Sequence, residues 1–144
     1  MAAIADLDET QLQFVPAIGE WNIHEVVIHL ADAEAVGYWR IRRALAEQRS
    51  ELPAYNEEAW ASRLSYRIQD RTLALQLFTA LRASTAALLR LLTEDAWQRI
   101  ALHAERGELS VLDLFNIYIE HGETHLQQIE QLKQAYRGRA QDKR

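Results

Sequence analysis

The chain has 144 residues, of which 49% are hydrophobic and 26% are charged, and its formal net charge is −5. This length suits a single compact domain, and the composition is that of a folded globular protein. The acidic balance argues against nucleic-acid binding, which needs a basic surface, and the absence of cysteine excludes disulfides and thiolate metal sites.

The N-terminal segment predicts at most one short helix, because its apolar pattern stops at Pro16. Its first residues, "MAAIADLDETQ", are acidic, whereas a secretory signal is basic and then apolar. No apolar run in the chain approaches the roughly 20 residues that span a bilayer. We therefore expect a cytoplasmic protein with no membrane partner.

A long amphipathic helix is predicted from about 22 to 48. Asn22 can cap its first turn, with Glu25 three residues later completing a capping box. Apolar side chains then recur at steps of three and four residues. The segment 49–70 predicts a structured connection with a short helix capped by Asn56.

A second long helix is predicted from about 71 to 92, where leucines and Phe78 follow one face. The sequence "EDAW" then predicts a turn or short helix. The stretch "RIALHAERGELS" contains Gly107 and indicates either an extended loop or a small hairpin.

The last helix is predicted from about 111 to 136, beginning at a capping box of Ser110 and Asp113. Gly138 should end it, and the basic sequence from about 137 predicts a flexible, solvated tail. Three long amphipathic helices and a short N-terminal piece pack most simply as an up-and-down bundle. We therefore predict one all-α domain over residues 1–144.

The apolar stripe of the last helix includes two histidines, His121 and His125. Residues four apart lie about 40° apart around a helix, so both imidazoles can reach one point. Chance, or two hydrogen-bonded core histidines, would give the same spacing. His29 also lies on the apolar side of its helix, where a single histidine is usually a buried neutral imidazole. Three inward histidines together favour a divalent metal, because three unpaired imidazoles are costly to desolvate.

The other histidines fit this site poorly. His24 lies about 140° around the helix from His29, which predicts an exposed residue of the first turn. His103 is predicted to be a surface or packing residue. No histidine has a glutamate three residues before it, which excludes the di-iron pattern, and no His-Glu-x-x-His motif occurs. A mononuclear three-histidine site remains, with a coordination position open to water or substrate.

Four residues are candidates to support these ligands, on spacing alone. Glu25 and Asp32 lie about one turn on either side of His29, and Tyr118 and Gln128 each lie three residues from a histidine of the last helix. Charged residues at such spacings usually form a solvated edge instead, and Tyr118 is equally expected as a core aromatic.

Three segments between about 17 and 135 resemble the DinB superfamily, and within it the YfiT-like branch of metal-dependent hydrolases and bacillithiol transferases. "GEWNIHEVVIHLADAE" resembles the family's Trp-x-x-x-Glu-Val-x-x-His-Leu-x-Asp segment, and "LPAYNEEAWASRL" is similar to a connection with Tyr-Asp-Glu-x-x-Trp, in which Asn56 replaces the acidic residue. "LHAERGELSVLDLFNIYIEHGETHLQQI" resembles the closing segment with its His-Gly-x-x-His ending. The resemblance assigns the metal-ligand positions to His29, His121 and His125.

The resemblance implies a four-helix bundle, commonly dimeric, that holds zinc or nickel at one end. The residues before Trp21 are too few for the family's full first helix, so we expect that helix to be short or replaced by a partner chain. The implied function is a metal-dependent enzyme in which water or a low-molecular-weight thiol attacks a small electrophilic substrate. Hydrolase and thiol S-transferase use the same ligands, and a non-catalytic metal-containing binding module is the alternative.

Overall fold

Three long helices form the body of the protein in a computed structural model that describes residues 2–141. They are α2 (Ile23–Ala46), α4 (Arg71–Leu89) and α6 (Val111–Gln141). The short helices are α1 (Glu9–Leu12), α3 (Glu57–Arg63) and α5 (Glu94–Trp97), with 3₁₀ turns at Ala2–Ile4 and Tyr66–Ile68. Helix α2 packs against both α4 and α6. The first helix is short, as predicted.

The predicted helix starts are confirmed by their hydrogen bonds. Asn22 accepts from the Glu25 N–H (2.8 Å), while the Glu25 carboxylate accepts from the Asn22 N–H (3.1 Å). Asn56 accepts from the N–H of Ala59 and so caps α3. At α6, the Ser110 hydroxyl accepts from the Asp113 N–H and donates to the Asp113 carboxylate. These side chains satisfy N–H groups that a helix leaves unpaired in its first turn.

The last helix does not end where the sequence predicted. It continues through Gly138 to Gln141. Gly138 is not among the glycines with positive φ in the described part of the chain, so it does not form the left-handed cap that ends many helices. Residues 142–144 of the predicted tail lie outside the described residues.

A small sheet joins two of the connections and adds strands to a fold that was predicted to be all-helical. Its strands are β1 (Glu51–Leu52), β2 (Ile100–His103) and β3 (Gly107–Ser110), in the order β1-β2-β3. The β2–β3 hairpin is one of the two predicted alternatives, and Gly107 supplies the positive φ of +75° at its turn. The parallel pairing of β1 with β2 was not predicted.

Two apolar clusters occupy different stretches of α2 and α6. The first cluster includes Val26 and Leu30 of α2 and Ile129 of α6. The second includes Ile41 of α2 and Leu114 of α6. Polar side chains lie beside these clusters or between them, and we call these side chains the polar layer: His29, Glu34 and Arg40 from α2, and Tyr118, His121 and His125 from α6. The candidate site therefore lies within the bundle, about two turns from the start of α2.

Helix α4 is more apolar than its neighbours. With 19 residues, it is the one helix among the described residues that is long and apolar enough to cross a membrane, judged by length and composition alone. It nevertheless packs along α2, and its Arg82 donates to the buried Glu34 of α2 at 2.6 Å. These contacts place α4 in the bundle.

Candidate metal centre

Three histidines from two helices converge in the polar layer. His29 of α2 is fully buried, and its Nε2 lies 3.1 Å from Nε2 of His121 in α6. Nε2 of His125, one turn further along α6, lies 3.1 Å from the same atom of His121. The three residues each offer a nitrogen, and these nitrogens all lie within 4.8 Å of one another.

The geometry of these nitrogens fits a metal ion. Two imidazole nitrogens on a tetrahedral zinc, each 2.0–2.1 Å from it, lie about 3.3 Å apart. The observed separations of 3.1 Å are close to that value. An N–H···N hydrogen bond would explain either separation alone, but a central cation can engage all three nitrogens at once.

The local sequence explains how the rings reach one point. His121 and His125 are adjacent on one face of α6, because a step of four residues returns nearly to the same side of a helix. Trp21, just before α2 in the sequence, packs its ring against the His29 imidazole, with ring centroids 4.9 Å apart. This aromatic contact holds the His29 ring and covers it from solvent.

The surroundings keep two of the imidazoles neutral. Burial, together with the nearby His125 and His121, lowers the pKa of His29 to about 3. Burial, His125 and the Arg82 guanidinium lower the pKa of His121 to about 4. A neutral imidazole retains the nitrogen lone pair that binds a metal, so both groups are in the form that a divalent ion requires.

Gln128 supports the cluster from the same helix. Its side-chain oxygen lies 2.7 Å from His125 Nδ1, which must therefore carry the proton and donate. This hydrogen bond fixes His125 with its Nε2 lone pair toward the other histidines. Metal-binding histidines are commonly oriented by a hydrogen bond of this kind. Nδ1 of His29, by contrast, has no partner among the described protein atoms.

The remaining supporting candidates are Glu25, Asp32 and Tyr118. Glu25 caps α2 and accepts from Arg67 (3.1 Å), and Asp32 accepts from the Tyr66 hydroxyl (2.6 Å). Both carboxylates are therefore engaged away from the histidine nitrogens. Tyr118 lies closer, since it lines the same pocket as His121, and its hydroxyl accepts from Arg40.

The prediction that His24 is exposed was wrong. This residue is 5% exposed, because α4 and the 3₁₀ turn at Tyr66 cover the first turn of α2. Arg71 donates to its Nδ1 (2.9 Å), so Nε2 carries the proton and donates to the Tyr66 carbonyl (3.0 Å). His103 is a packing residue, as predicted, but it belongs to β2 and is 6% exposed.

Sequence reasoning missed Glu57 as a site residue. It begins α3, and its Oε2 lies 3.9 Å from Nε2 of His29, while 47% of its side chain remains exposed. Glu57 follows His29 by 28 positions in the sequence, so no short-motif spacing links the two residues. The quoted "AYNEEAW" segment was the only signal that pointed to this position.

A pocket of about 130 Å³ opens beside His121. Its helical wall comes from α2 and α6, and its other wall from the segments that follow β1 and β2. Because β1 and β2 are parallel, their carboxyl ends lie at the same edge of the sheet, which brings these two segments together. The lining residues used below are Arg40, Tyr55, Glu57, His103, Tyr118 and His121.

Fold and site together define a helical-bundle protein with a candidate three-histidine metal centre beside a small pocket. Residues 1–129 match the sequence model of the DinB superfamily. Because the match covers most of the chain, this protein belongs to the DinB superfamily.

Individual relatives agree with this assignment. The chain is 32% identical over 129 residues to a "putative metal-dependent hydrolase" of Oceanobacillus iheyensis, covering 90% of this chain and 74% of the relative. It is 29% identical over 131 residues to YfiT of Bacillus subtilis, which has the same designation, covering 90% and 74%. The solved structure of YfiT is described as a probable metal-dependent hydrolase with an unusual four-helix bundle topology. It superposes on this chain with a TM-score of 0.85 at 27% sequence identity. The match covers 92% of this chain and 77% of the YfiT chain. The predicted family and four-helix bundle class are confirmed.

Proposed function

We propose that this protein is a metal-dependent enzyme in which His29, His121 and His125 hold one divalent ion, zinc or nickel. Water or a low-molecular-weight thiol then attacks a small electrophilic substrate in the adjoining pocket. The observation that carries the proposal is the convergence of three Nε2 atoms beside that pocket.

The chemistry of the site divides between the ion and the chain. When bound, an ion of this kind acts as a Lewis acid and makes water or a thiol nucleophilic near neutral pH. The three imidazoles supply neutral nitrogens, and the Gln128 oxygen orients one of them. Trp21 shields the His29 ring, which keeps competing water away from the buried side of the donor set.

Glu57 and Tyr55 are the groups placed to handle protons. Oε2 of Glu57 is close to the donor set and reachable from solvent, so it can accept the proton of a water or thiol that enters the pocket. Burial and the nearby Glu57 carboxylate raise the pKa of Tyr55. Its phenol therefore stays protonated and can donate a hydrogen bond to a substrate oxygen.

Two reactions share this arrangement. A hydrolase would use water as the nucleophile, and a thiol S-transferase would use a thiol; the names of the relatives favour hydrolysis. The alternative is a metal-containing binding module without turnover. A pocket that reaches the histidine cluster favours the enzyme, because a purely structural site is usually closed by a fourth protein ligand.

Metal analysis of untagged protein tests the donor set. We expect about one zinc or nickel per chain in the wild type, and loss of most of it in His29→Ala, His121→Ala and His125→Ala. His103→Gln is the matched control, since it removes a buried histidine outside the cluster and should keep the metal. A wild type without stoichiometric metal, or a His29→Ala variant that retains it, would show that the site is wrong.

Turnover distinguishes the enzyme from the binding module. Metal-loaded protein is assayed with ester substrates in water and with thiols plus electrophiles. Glu57→Gln should lower kcat by about 100-fold or more while metal content stays unchanged. Activity that is unaffected by His125→Ala would place any catalysis away from the metal.

We also propose a cytoplasmic homodimer that binds a small molecule. Ile68, Leu73 and Leu77, in and just before α4, are 84%, 62% and 46% exposed, and a partner copy would cover this apolar surface. Light scattering on an eluting peak should give twice the chain mass, and Leu73→Arg should shift it toward the monomer. A monomeric wild type at high concentration would exclude the dimer.

A further inference from the structure

Arg40 is a buried cation that has no acidic partner among residues 2–141. It is 7% exposed, and its Nη1 and Nη2 donate to neutral oxygens, the Tyr118 hydroxyl (3.2 Å) and the Pro53 carbonyl (2.6 Å). Its Nε has no hydrogen-bond partner in the part of the chain that the structure describes. Among the side chains that the structure describes, no carboxylate lies within ion-pair distance of this guanidinium.

Two other arginines that reach a buried position have carboxylate partners. Arg82 pairs with the buried Glu34 (2.6 Å), and Arg67 pairs with the buried Glu25 (3.1 Å). A buried charge is costly unless an opposite charge and hydrogen bonds compensate it. Arg40 has some of these hydrogen bonds, but the described residues supply no opposite charge beside it, so its environment can accept an anion.

The pocket beside His121 has room for that anion. Arg40 lines it, together with His103 and Arg106 from the β2–β3 hairpin. The volume of about 130 Å³ is close to the roughly 150 Å³ of cavities that admit benzene. A small organic molecule with one charged group therefore fits.

The charges in the pocket are unevenly placed. The carboxylate of Glu57 lies at the histidine cluster, 3.9 Å from Nε2 of His29. Arg40 instead contacts Tyr118, which precedes His121 by three residues, or about 4.5 Å along the axis of α6. Exposed Glu105 also lines the pocket. Two carboxylates in the lining disfavour a dianion such as phosphate, and the planar guanidinium fork matches a carboxylate.

We propose that Arg40, with Tyr118 beside it, binds the carboxylate of a small monoanionic substrate, whose reactive end then points to His121. This deepens the proposed function and depends on it for the chemistry at the reactive end. Binding of the carboxylate itself needs only Arg40 and the pocket.

Propionate and its neutral analogue propionamide are the probes. Protein is stripped of metal on a chelating resin or loaded with zinc, and binding is followed by NMR shifts of the Arg40 Nε–H and of pocket amides at constant ionic strength. We expect propionate to shift the Arg40 signal saturably in both forms and propionamide to bind about tenfold more weakly. Arg40→Gln should weaken propionate by about tenfold, whereas Arg42→Gln, a matched change on the same helix, should not.

Three results would overturn the proposal. The first is equal affinity for the two probes, and the second is a preference for propionate that survives in Arg40→Gln. The third is a preference that disappears when metal is removed, because the metal would then be the anion's partner. The comparison of probes in the wild type does not depend on how well Arg40→Gln folds. If the wild-type protein cannot be loaded with zinc but still prefers propionate to propionamide, the anion site is supported and the proposed metal function is refuted.

Discussion

Substituting Gly37 by alanine tests the close contact between α2 and α6 in the polar layer. A Cβ at this position would lie 2.7 Å from Cε1 of Tyr118, far inside the normal carbon–carbon contact of about 3.5–4.0 Å. Tyr118 is half-buried and its hydroxyl accepts a hydrogen bond from Arg40, so its ring has little freedom to move. Overpacking of this kind costs about 1–3 kcal/mol, while removing a helix glycine contributes about 1 kcal/mol of stability. We therefore expect a net loss of stability in Gly37→Ala.

A double-mutant cycle with Tyr118→Ala isolates the clash. In that background the ring is absent, and Gly37→Ala should become stabilising by about 1 kcal/mol. The coupling from urea unfolding should be about 1–3 kcal/mol. Gly138→Ala, a helix glycine whose added Cβ would contact nothing within 4 Å, is the control. Coupling below about 0.5 kcal/mol, within the range of additivity, would refute the reasoning.

Two further predictions concern the supports of α6. Gln128→Leu should weaken metal binding by about 10–100-fold, because His125 loses the acceptor that orients it, whereas Gln127→Leu on the exposed side should not; equal Kd values for the two variants would remove Gln128 from the site. Hydrogen bonds from Ser110 lower the pKa of Asp113 in the folded state. That contribution to stability is present above the unfolded pKa of about 3.9 and is lost as pH falls through the lower folded value. Asp113→Asn should therefore be less stable than wild type at pH 7 and converge with it in acid, and a difference that stays constant with pH would contradict this.

The helices and the histidine cluster could be predicted because their signals are local or periodic. The capping box at Asn22 and the four-residue step from His121 to His125 each depend on neighbours within one turn. His29 could be added because its apolar neighbours set the inward face of α2. These signals need no knowledge of which helices pack together.

The features that were missed depend on distant contacts. Strand β1 has two residues, too few to show an alternating pattern, and it exists because it pairs with residues about fifty positions away. His24 is buried by elements that follow it by more than forty residues. Glu57 approaches His29 because the connection folds back over α2. Periodicity within one segment carries no information about such pairings.

The parallel pairing of β1 with β2 separates two tasks within the pocket. The metal-binding candidates belong to α2 and α6, whereas Tyr55, Glu57 and His103 belong to the connections that the small sheet joins. Insertions and exchanges in such segments disturb a core little. Substrate preference can thus diverge between descendants of one ancestral chain while the reactive centre is inherited unchanged.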